Sequence, residues 1–360
     1  MCSNHLCSPS LPKMINFFKR RDLDMLPRID ADTFLLWEPC SINHAEVVPG
    51  FTKYLLDLGY SVSVLMEPER IDEGLFSLFG ENDRVFLNRM TGKNIRKFLQ
   101  KNGLAQAKGI LISTLTNKIC LKDIPLTPGQ KVLCVSHDVR NDAPLIDKKT
   151  ITLRRVDYNG IETIVVNPHY FGEIQQRDKN TIVNFISVGA LRAKRRNAAL
   201  LADAAQKLLH VGAGDFRITV IGKGTLRGLP KELRPFFNIT GRLDFQDMYK
   251  EIQKADFFLP LLDPCNPEHD RYITTGTSGS FQLIHGFLKP PVLESRFAPI
   301  NGFDDSNGII YEGNAELATA MEKAIRMTTE DYSEIRENLR RFTENLYRES
   351  LGNLRRLIEE

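Results

Sequence analysis

The chain has 360 residues, of which 42% are hydrophobic and 26% are charged, and its formal net charge is +3. This composition is typical of a globular protein with a sizeable core, and the length suggests about two domains at roughly 150 residues each. The net charge is too small to indicate wholesale nucleic-acid binding, so we expect no nucleic-acid partner.

The cysteines and the apolar runs indicate the compartment. The six cysteines form no C-x-x-C pair and no His/Cys metal spacing, which favours a reducing, cytoplasmic compartment and no bound metal. No apolar run approaches the roughly 18 to 20 residues of a membrane span, and residues 1–13 lack the apolar core of a signal peptide. Residues 17–21 mix phenylalanine with basic side chains. They predict a surface helix or, as the alternative, peripheral contact with the inner face of a membrane.

The first half of the chain alternates strands with helices. An apolar strand at 33–37 is followed by an amphipathic helix at 45–58, and a basic helix is expected at 94–101. Further strands are predicted at 60–65, 84–87, 109–113, 131–135 and 163–166. Strands that alternate with helices predict a parallel sheet. We therefore predict a lead-in at 1–30 and a Rossmann-like domain at 31–172.

The second half repeats this alternation after a polar, turn-rich linker at 168–180. It contains a strand that ends at Gly189, a strand that ends at Gly222, a helix at 246–254, a buried strand at 256–262, a hydroxyl-rich turn at 274–280 and a helical tail at 315–357. We predict a second Rossmann-like domain at 173–345 and a C-terminal helix at 346–360. The fold class is therefore α/β, with two Rossmann-like domains that face a cleft.

Ligands of parallel sheets bind at the carboxyl ends of the strands. In the second half these ends carry glycines, cations and hydroxyls, which suit a phosphorylated ligand. The turn before the last predicted helix of this series offers a helix N-terminus, which binds phosphate; the alternative is that its hydroxyls only cap the helix. No pair of acids stands out as a metal-binding motif. Asp30 and Asp32 have the spacing of such a motif, but they precede the first strand, where acids typically cap the backbone.

Four motifs carry a family resemblance. They are 187–191 with Lys194 and Arg195, 220–224, 239–243 followed by 248–249 and 255–257, and 135–138. In this order they resemble the GT-B fold of nucleotide-sugar glycosyltransferases, and in particular the large glycosyl transferase group 1 family, over residues 32–350. The chain departs from that family at Ala190, where the family has arginine, and at 275–282, where it has a pair of glutamates.

The resemblance implies a donor site in the second half and no cofactor beyond the nucleotide-sugar donor itself. The implied donor residues are Gly189, Arg192, Lys194, Arg196, Gly222, Lys223, Arg242, Thr275, Gly276, Thr277 and Ser278. The implied partners are a nucleotide-sugar donor and a glycan or glycolipid acceptor. Synthesis of a bacterial surface polysaccharide or glycolipid is the expected setting.

The candidate catalytic residues lie in the first half. His44 and Glu46 follow the first strand, and either one is a candidate base for an acceptor hydroxyl. His137 and Asp138 follow the strand at 131–135 and resemble the family's pair beside the donor sugar. His44 and Glu46 each have an alternative role as a helix cap or core residue, whereas His137 is expected to contact sugar hydroxyls or orient the acceptor. The missing glutamate pair leaves the stereochemistry of transfer open.

Three other functions are alternatives to glycosyl transfer. A nucleotide-sugar epimerase of the same fold requires several acids and histidines that converge in the cleft. A non-catalytic sugar-binding subunit is consistent with the missing glutamates. A dinucleotide oxidoreductase is disfavoured, because no G-x-G-x-x-G follows the first strand with an acid about 20 residues later.

Overall fold

The computed structural model describes residues 27–116, 122, 124–175, 177–190, 196–224 and 229–360. Helices and strands alternate through both halves, as the sequence predicts. Those of the first half are β1 (Thr33–Trp37), α1 (Ser41–His44), α2 (Val48–Asp57), β2 (Ser61–Met66), α3 (Pro68–Asp72), β3 (Val85–Arg89), α4 (Gly92–Asn102), β4 (Gly109–Ile112), β5 (Lys131–Ser136), β6 (Ile151–Thr152), β7 (Asp157–Tyr158), β8 (Ile161–Glu162) and β9 (Ile164–Val165).

Within the described residues, the first domain contains a seven-stranded parallel sheet in the order β3-β2-β1-β4-β5-β6-β9. The order reverses between β1 and β4, and a crevice forms at such a switch point. Trp37 at the end of β1 lies opposite Ile112 at the end of β4. The residues that follow these two strands therefore emerge side by side at the same edge of the sheet.

The helix predicted at 45–58 is divided in the structure. The short helix α1 leads into a 3-10 turn at Ala45–Val47, and α2 begins at Val48 with Pro49 in its first turn. Proline is favoured there because an N–H in the first turn of a helix has no acceptor within the helix, so proline loses no hydrogen bond by lacking one. The division places His44 and Glu46 on separate short turns above the sheet rather than on one long helix.

The second half has the same alternation. It comprises β10 (Val183–Val188), α5 (Ala198–His210), β11 (Phe216–Ile221), β12 (Phe237–Gly241), α6 (Phe245–Lys254), β13 (Phe257–Phe258), α7 (Arg271–Thr274), α8 (Gly279–Phe287), β14 (Val292–Glu294), β15 (Ile309–Tyr311), α9 (Leu317–Arg326) and α10 (Thr329–Glu359). In the described residues β12-β11-β10-β13 form a parallel sheet, and a bridge from Phe258 to Pro291 continues it towards β14 and β15. Both halves are thus Rossmann-like.

The strand predicted at 256–262 is shorter than expected. Pro260 has no N–H to donate to a neighbouring strand, and Leu261 has a φ of 50°, in the left-handed region. Regular pairing therefore stops at Phe258, although Leu259, Leu261 and Leu262 remain buried. A left-handed leucine is strained, and such strain is most often found beside functional sites.

The last helix, α10, is continuous from Thr329 to Glu359, so the boundary predicted at residue 345 falls inside it. Thr328 caps its start by accepting a hydrogen bond from the N–H of Asp331 at 3.1 Å. Tyr332 packs on the second domain, whereas Asn353 donates a hydrogen bond to Val165 of the first and Leu354 belongs to an apolar cluster that both domains share. In the part of the chain that the structure describes, no helix is long and apolar enough to cross a membrane.

The two domains share an apolar interface. The rings of Phe171, Tyr249 and Phe287 lie 5.2 to 5.4 Å apart, centroid to centroid. Gly286 allows this contact, because a Cβ at that position would lie 2.2 Å from Cδ2 of Phe171. Because the interface is packed like a protein interior, the relative position of the domains is well defined.

Candidate active site

Glu38 is the first residue after β1, and its side chain is buried, with 2% exposure. One carboxylate oxygen, Oε2, accepts hydrogen bonds from the hydroxyls of Ser113 and Thr114, each at 2.8 Å. The other, Oε1, accepts from the N–H of Cys40. Burial raises the pKa of Glu38 to about 7, against the opposing effect of these three donors. The carboxyl therefore changes its charge near neutral pH.

Two histidines lie beside Glu38 in a stacked pair. The rings of His44 and His137 are 4.0 Å apart and inclined by only 8°. Nδ1 of His44 lies 3.1 Å from Oγ1 of Thr114, and Nε2 of His137 lies 2.9 Å from the carbonyl oxygen of Ser113. Burial lowers the pKa of His137 to about 4, so this ring is neutral at physiological pH.

Glu46 extends from the first domain to the second. A Cβ built on Gly279, the first residue of α8, would lie 3.0 Å from Oε1 of Glu46, so the carboxyl packs closely against the start of this helix. Burial raises the pKa of Glu46 to about 8, and the charge of Glu38 adds to this effect. Burial raises the pKa of Tyr249, and the charge of Glu46 adds to this effect. The carboxyl thus lies against the first residue of α8, and its burial favours the protonated form.

The second domain presents a buried arginine beside the first turn of α8. One Nη atom of Arg196 donates to the carbonyl of Val188 at 3.1 Å and to Oγ of Ser280 at 2.9 Å. Gly189 follows β10 with a φ of 134°, and its missing side chain leaves space beside the guanidinium. Gly222 is equally constrained, because a Cβ there would lie 2.2 Å from the carbonyl oxygen of Gly189. These residues form a cationic, glycine-lined end of the sheet.

The hydroxyl-rich turn joins the two domains. The N–H of Thr277 donates to the carbonyl of His137 at 3.2 Å, and the N–H of Val139 donates to the carbonyl of Thr275 at 3.0 Å. The backbone N–H groups of 275–277 all donate to carbonyl oxygens, so in this structure they hold the turn rather than an anion. The buried Oγ1 atoms of Thr275 and Thr277 have no hydrogen-bond partner among the described residues.

Two other residues fix this turn. Ser278 is the N-cap of α8, and its Oγ accepts from the N–H of Ser280 at 3.4 Å, as the capping alternative anticipates. Gly276 pairs with Asp138 in an isolated antiparallel bridge. The carboxylate of Asp138 lies 3.9 Å from Arg271. His137 and Asp138 are therefore placed at the junction of the two domains.

The remaining predicted donor residues differ in their surroundings. Arg242 forms an ion pair with Glu73 of the first domain, with an N–O distance of 2.7 Å, and so contributes to the contact between domains. Lys223 is exposed near the end of β11. Arg192 and Lys194 lie outside the described residues, together with Arg195.

Three polar residues of the site were not singled out from the sequence. Glu38 was considered only as part of a turn and Thr114 was not considered, although Glu38 directly follows β1 and Thr114 is the second residue after the neighbouring strand β4. That position was the available signal. Arg154 donates a hydrogen bond of 3.0 Å to the carbonyl of Gly276. It was missed because the two residues are 122 positions apart in the sequence. Local sequence carries no sign of such a contact.

Two further arrangements were tested as alternative sites. In the described residues no three His, Cys, Asp or Glu side chains are grouped to hold a metal ion. A cavity of about 770 Å³ lies between the linker and α10, and it is lined by Lys179, Arg336 and Arg340 among others. These cations already have partners, because Lys179 and Arg336 donate to backbone carbonyls and Arg340 forms an ion pair with Glu337. We therefore place the candidate site between the strand ends.

Comparison with solved structures identifies the fold. AviGT4, a glycosyltransferase involved in avilamycin A biosynthesis, matches with a TM-score of 0.59 over 91% of this chain and 98% of that protein, at 14% identity. An α-glucosyltransferase solved with UDP and a 13-mer DNA containing an HMU base matches with a TM-score of 0.53 over 91% of this chain and 99% of that protein, at 11% identity. No family model and no curated protein matches the sequence.

The chain has the GT-B fold, with two Rossmann-like domains whose strand ends face each other and a C-terminal helix. At identities this low the likeness concerns the fold, and function has to be argued from the site.

Proposed function

We propose that the chain is a glycosyltransferase that moves a sugar from a nucleotide-sugar donor to an acceptor hydroxyl. The observation that carries this proposal is the position of Arg196. Its buried guanidinium lies at the carboxyl end of β10 and contacts Ser280 in the first turn of α8, and the carboxyl of Glu46 from the other domain lies against Gly279 of the same turn. A cation and a helix N-terminus on one side of the site, with acids and imidazoles on the other, suit transfer from a diphosphate to a hydroxyl.

The chemistry assigns different tasks to the two domains. When the glycosidic bond to the diphosphate breaks, negative charge develops on the leaving group, and Arg196 with the N-terminal end of α8 stabilises it. Gly189 and Gly222 leave the backbone open to the nucleotide. The first domain binds the acceptor and accepts its hydroxyl proton. The apolar interface between the domains excludes water, which limits hydrolysis of the donor.

A screen of donors tests the proposal. We would add UDP-, GDP-, CMP- and dTDP-sugars separately to the protein and measure the melting temperature and the dissociation constant. A ligand at 100 times its Kd stabilises the folded state by about 2.7 kcal/mol, which gives a clear thermal shift. We expect one nucleotide class to bind. If none binds, the proposed donor site is wrong.

For the acceptor, we propose a bacterial glycan or a glycolipid, with the protein at the inner face of the membrane. The exposed face of α4 supports this setting, because Lys93, Arg96, Lys97 and Lys101 all face solvent while Ile95 is buried. Basic side chains near an anionic surface each contribute about 1 kcal/mol. We expect flotation with vesicles of anionic lipid and no flotation with vesicles of neutral lipid. Equal behaviour with both would leave a soluble glycan as the acceptor.

A nucleotide-sugar epimerase is the second candidate. Such an enzyme requires converging acids and histidines, and Glu38, Glu46, His44 and His137 meet that description. Turnover of UDP-GlcNAc without an acceptor distinguishes the two functions. An epimerase consumes the sugar nucleotide and forms its epimer, whereas a glycosyltransferase gives a new product only when an acceptor is added.

A further inference from the structure

The hydroxyl of Thr114 lies between an acid and an imidazole. Its Oγ1 is 2.8 Å from Oε2 of Glu38 and 3.1 Å from Nδ1 of His44. Thr114 follows β4, Glu38 follows β1, and these strands are neighbours in the sheet. His44 ends α1, the turn of helix that follows Glu38. The three side chains therefore form a chain of hydrogen bonds at the switch point of the first sheet.

The proton of each bond follows from the chemistry of the groups. A threonine hydroxyl has one proton, which it donates to the carboxylate of Glu38. Towards His44 the same oxygen must then accept, so Nδ1 of His44 carries a proton. In a neutral imidazole with a proton on Nδ1, the lone pair is on Nε2. The network thus selects the tautomer in which Nε2 acts as a base.

The ring of His44 is also held in orientation. It stacks on His137 at 4.0 Å, and His137 is fixed through its Nε2, 2.9 Å from the carbonyl of Ser113. A carbonyl oxygen only accepts, so Nε2 of His137 is its protonated nitrogen. Burial lowers the pKa of His137 to about 4. The stacked neighbour is therefore neutral and does not repel a positive charge on His44.

We propose that His44 is the base that deprotonates the acceptor and that Glu38 is a positioning residue that acts on His44 through Thr114. This assignment rests on the proposed glycosyltransferase function. The acceptor oxygen forms a bond to the anomeric carbon, and the bond from that carbon to the diphosphate oxygen breaks. The electron pair leaves with the nucleoside diphosphate, while the hydroxyl proton moves to Nε2 of His44. In a single displacement of this kind the acceptor attacks the face opposite the leaving group, so the proposed step inverts the anomeric configuration.

The position of Glu38 suits this role. The carboxylate is buried and accepts three hydrogen bonds, so its orientation is fixed before substrate binds. When His44 gains a proton, the negative charge of Glu38 lies one hydroxyl away and stabilises the imidazolium. Charges interact more strongly in such a buried site than in water.

The tautomer of His44 provides a test that requires no substrate. We would label the histidines with ¹⁵N, assign His44 by its loss in His44→Gln, and measure the shifts of both ring nitrogens. We expect the Nδ1–H tautomer in the wild type. It persists in Thr114→Ser, which keeps the hydroxyl, and in Ser113→Ala, the matched control, which removes a different donor from the same carboxylate. Thr114→Val abolishes the preference. A wild-type His44 protonated on Nε2 overturns the assignment.

Kinetics provide the second test once the donor screen has found a substrate. We expect Thr114→Val and Glu38→Gln to lower kcat about tenfold or more, with the KM of the donor changed less than about twofold, and Thr114→Ser to recover most of the loss. The pH profile of kcat shifts in Glu38→Gln, which a structural defect alone does not produce. The anomeric configuration is read from the product by ¹H NMR.

The outcomes separate the two levels of inference. If no nucleotide binds and no sugar is transferred, the proposed function fails, and the ¹⁵N measurement alone decides the hydrogen-bond chain. If sugar is transferred but kcat is unchanged in both Thr114→Val and Glu38→Gln, or the product retains its configuration, the protein is a glycosyltransferase and the assignment of His44 and Glu38 is wrong.

Discussion

Nε of Arg154, in the first domain, donates a hydrogen bond to the carbonyl oxygen of Gly276, in the second, over 3.0 Å. The same guanidinium also donates to the carbonyl of Ile273 at 3.0 Å. One side chain of the first domain thus donates to two backbone carbonyls of the second, that of Ile273 in α7 and that of Gly276 in the turn before α8. The first domain thus determines the position of the turn that precedes the candidate diphosphate site.

We predict that Arg154→Met lowers the free energy of unfolding by about 1 to 3 kcal/mol, because buried carbonyl groups lose their donor. Urea unfolding measures the change. Arg155→Met is the matched control, since Arg155 is 75% exposed and makes only a 3.4 Å surface pair with Glu162. The control is expected to change the free energy of unfolding by less than about 0.5 kcal/mol. Equal effects in the two variants would contradict the role of Arg154.

For the donor site, we predict that Arg196→Ala weakens nucleotide binding roughly 10- to 100-fold, which corresponds to a charge-assisted hydrogen bond of about 1.5 to 3 kcal/mol. Titration calorimetry with the nucleotide found by screening measures this. Arg217→Ala serves as the control, because Arg217 is exposed at the start of β11 and stacks on Phe236. If Arg196→Ala binds as tightly as Arg217→Ala, the nucleotide diphosphate does not contact Arg196.

Two glycine-to-alanine substitutions, one at the domain interface and one as a control, test how tightly the interface is packed. In Gly286→Ala the new methyl group would lie 2.2 Å from Phe171 and 2.5 Å from the carbonyl of His169, so the packed rings must move. We expect a loss of about 1 to 3 kcal/mol in the free energy of unfolding. Gly352→Ala is the control within α10, where nothing lies within 4 Å of the added Cβ. It should stabilise the chain by about 0.5 to 1 kcal/mol. Stabilisation by both substitutions would show that the interface is loose.

Glu46 makes stability depend on pH. Burial raises its pKa from 4.5 to about 8, so between these values the folded chain holds a proton that the unfolded chain has released. The free energy of unfolding therefore falls as the pH rises through this window. Glu46→Gln cannot ionise. We therefore expect the difference in the free energy of unfolding between Glu46→Gln and the wild type to favour the variant more at pH about 8.5 than at pH about 5. Parallel curves of stability against pH would mean that Glu46 is not protonated in the folded chain.

The fold could be predicted further than the site. The fully buried run Thr33–Trp37 has a strand pattern, and the structure confirms it. The strand expected at 256–262 fails because periodicity does not report the backbone of Leu261. His137 and Gly189 were named as site residues because they follow strands, where ligands are expected, and their roles stay predictions.

Contacts between distant residues could not be predicted. The ion pair of Arg242 and Glu73 joins residues 169 apart in sequence, and no local pattern relates them. The same holds for the bond from Thr114 to Glu38, which depends on the order of strands in the sheet. A sequence lists the polar groups that follow the strands, whereas strand order and domain packing determine which of them meet.

The course of α10 has a consequence for how the chain folds during synthesis. Asn353 donates to the carbonyl of Val165 at 2.9 Å, Ser350 accepts from the N–H of Asn167 at 3.0 Å, and Leu354 is buried in the apolar cluster that both domains share. The first domain therefore cannot form these contacts until residues almost 200 positions after its last strand, β9, have been translated. Until the ribosome releases them, the apolar surface beside β9 is uncovered, and a nascent chain in that state is a target for chaperones.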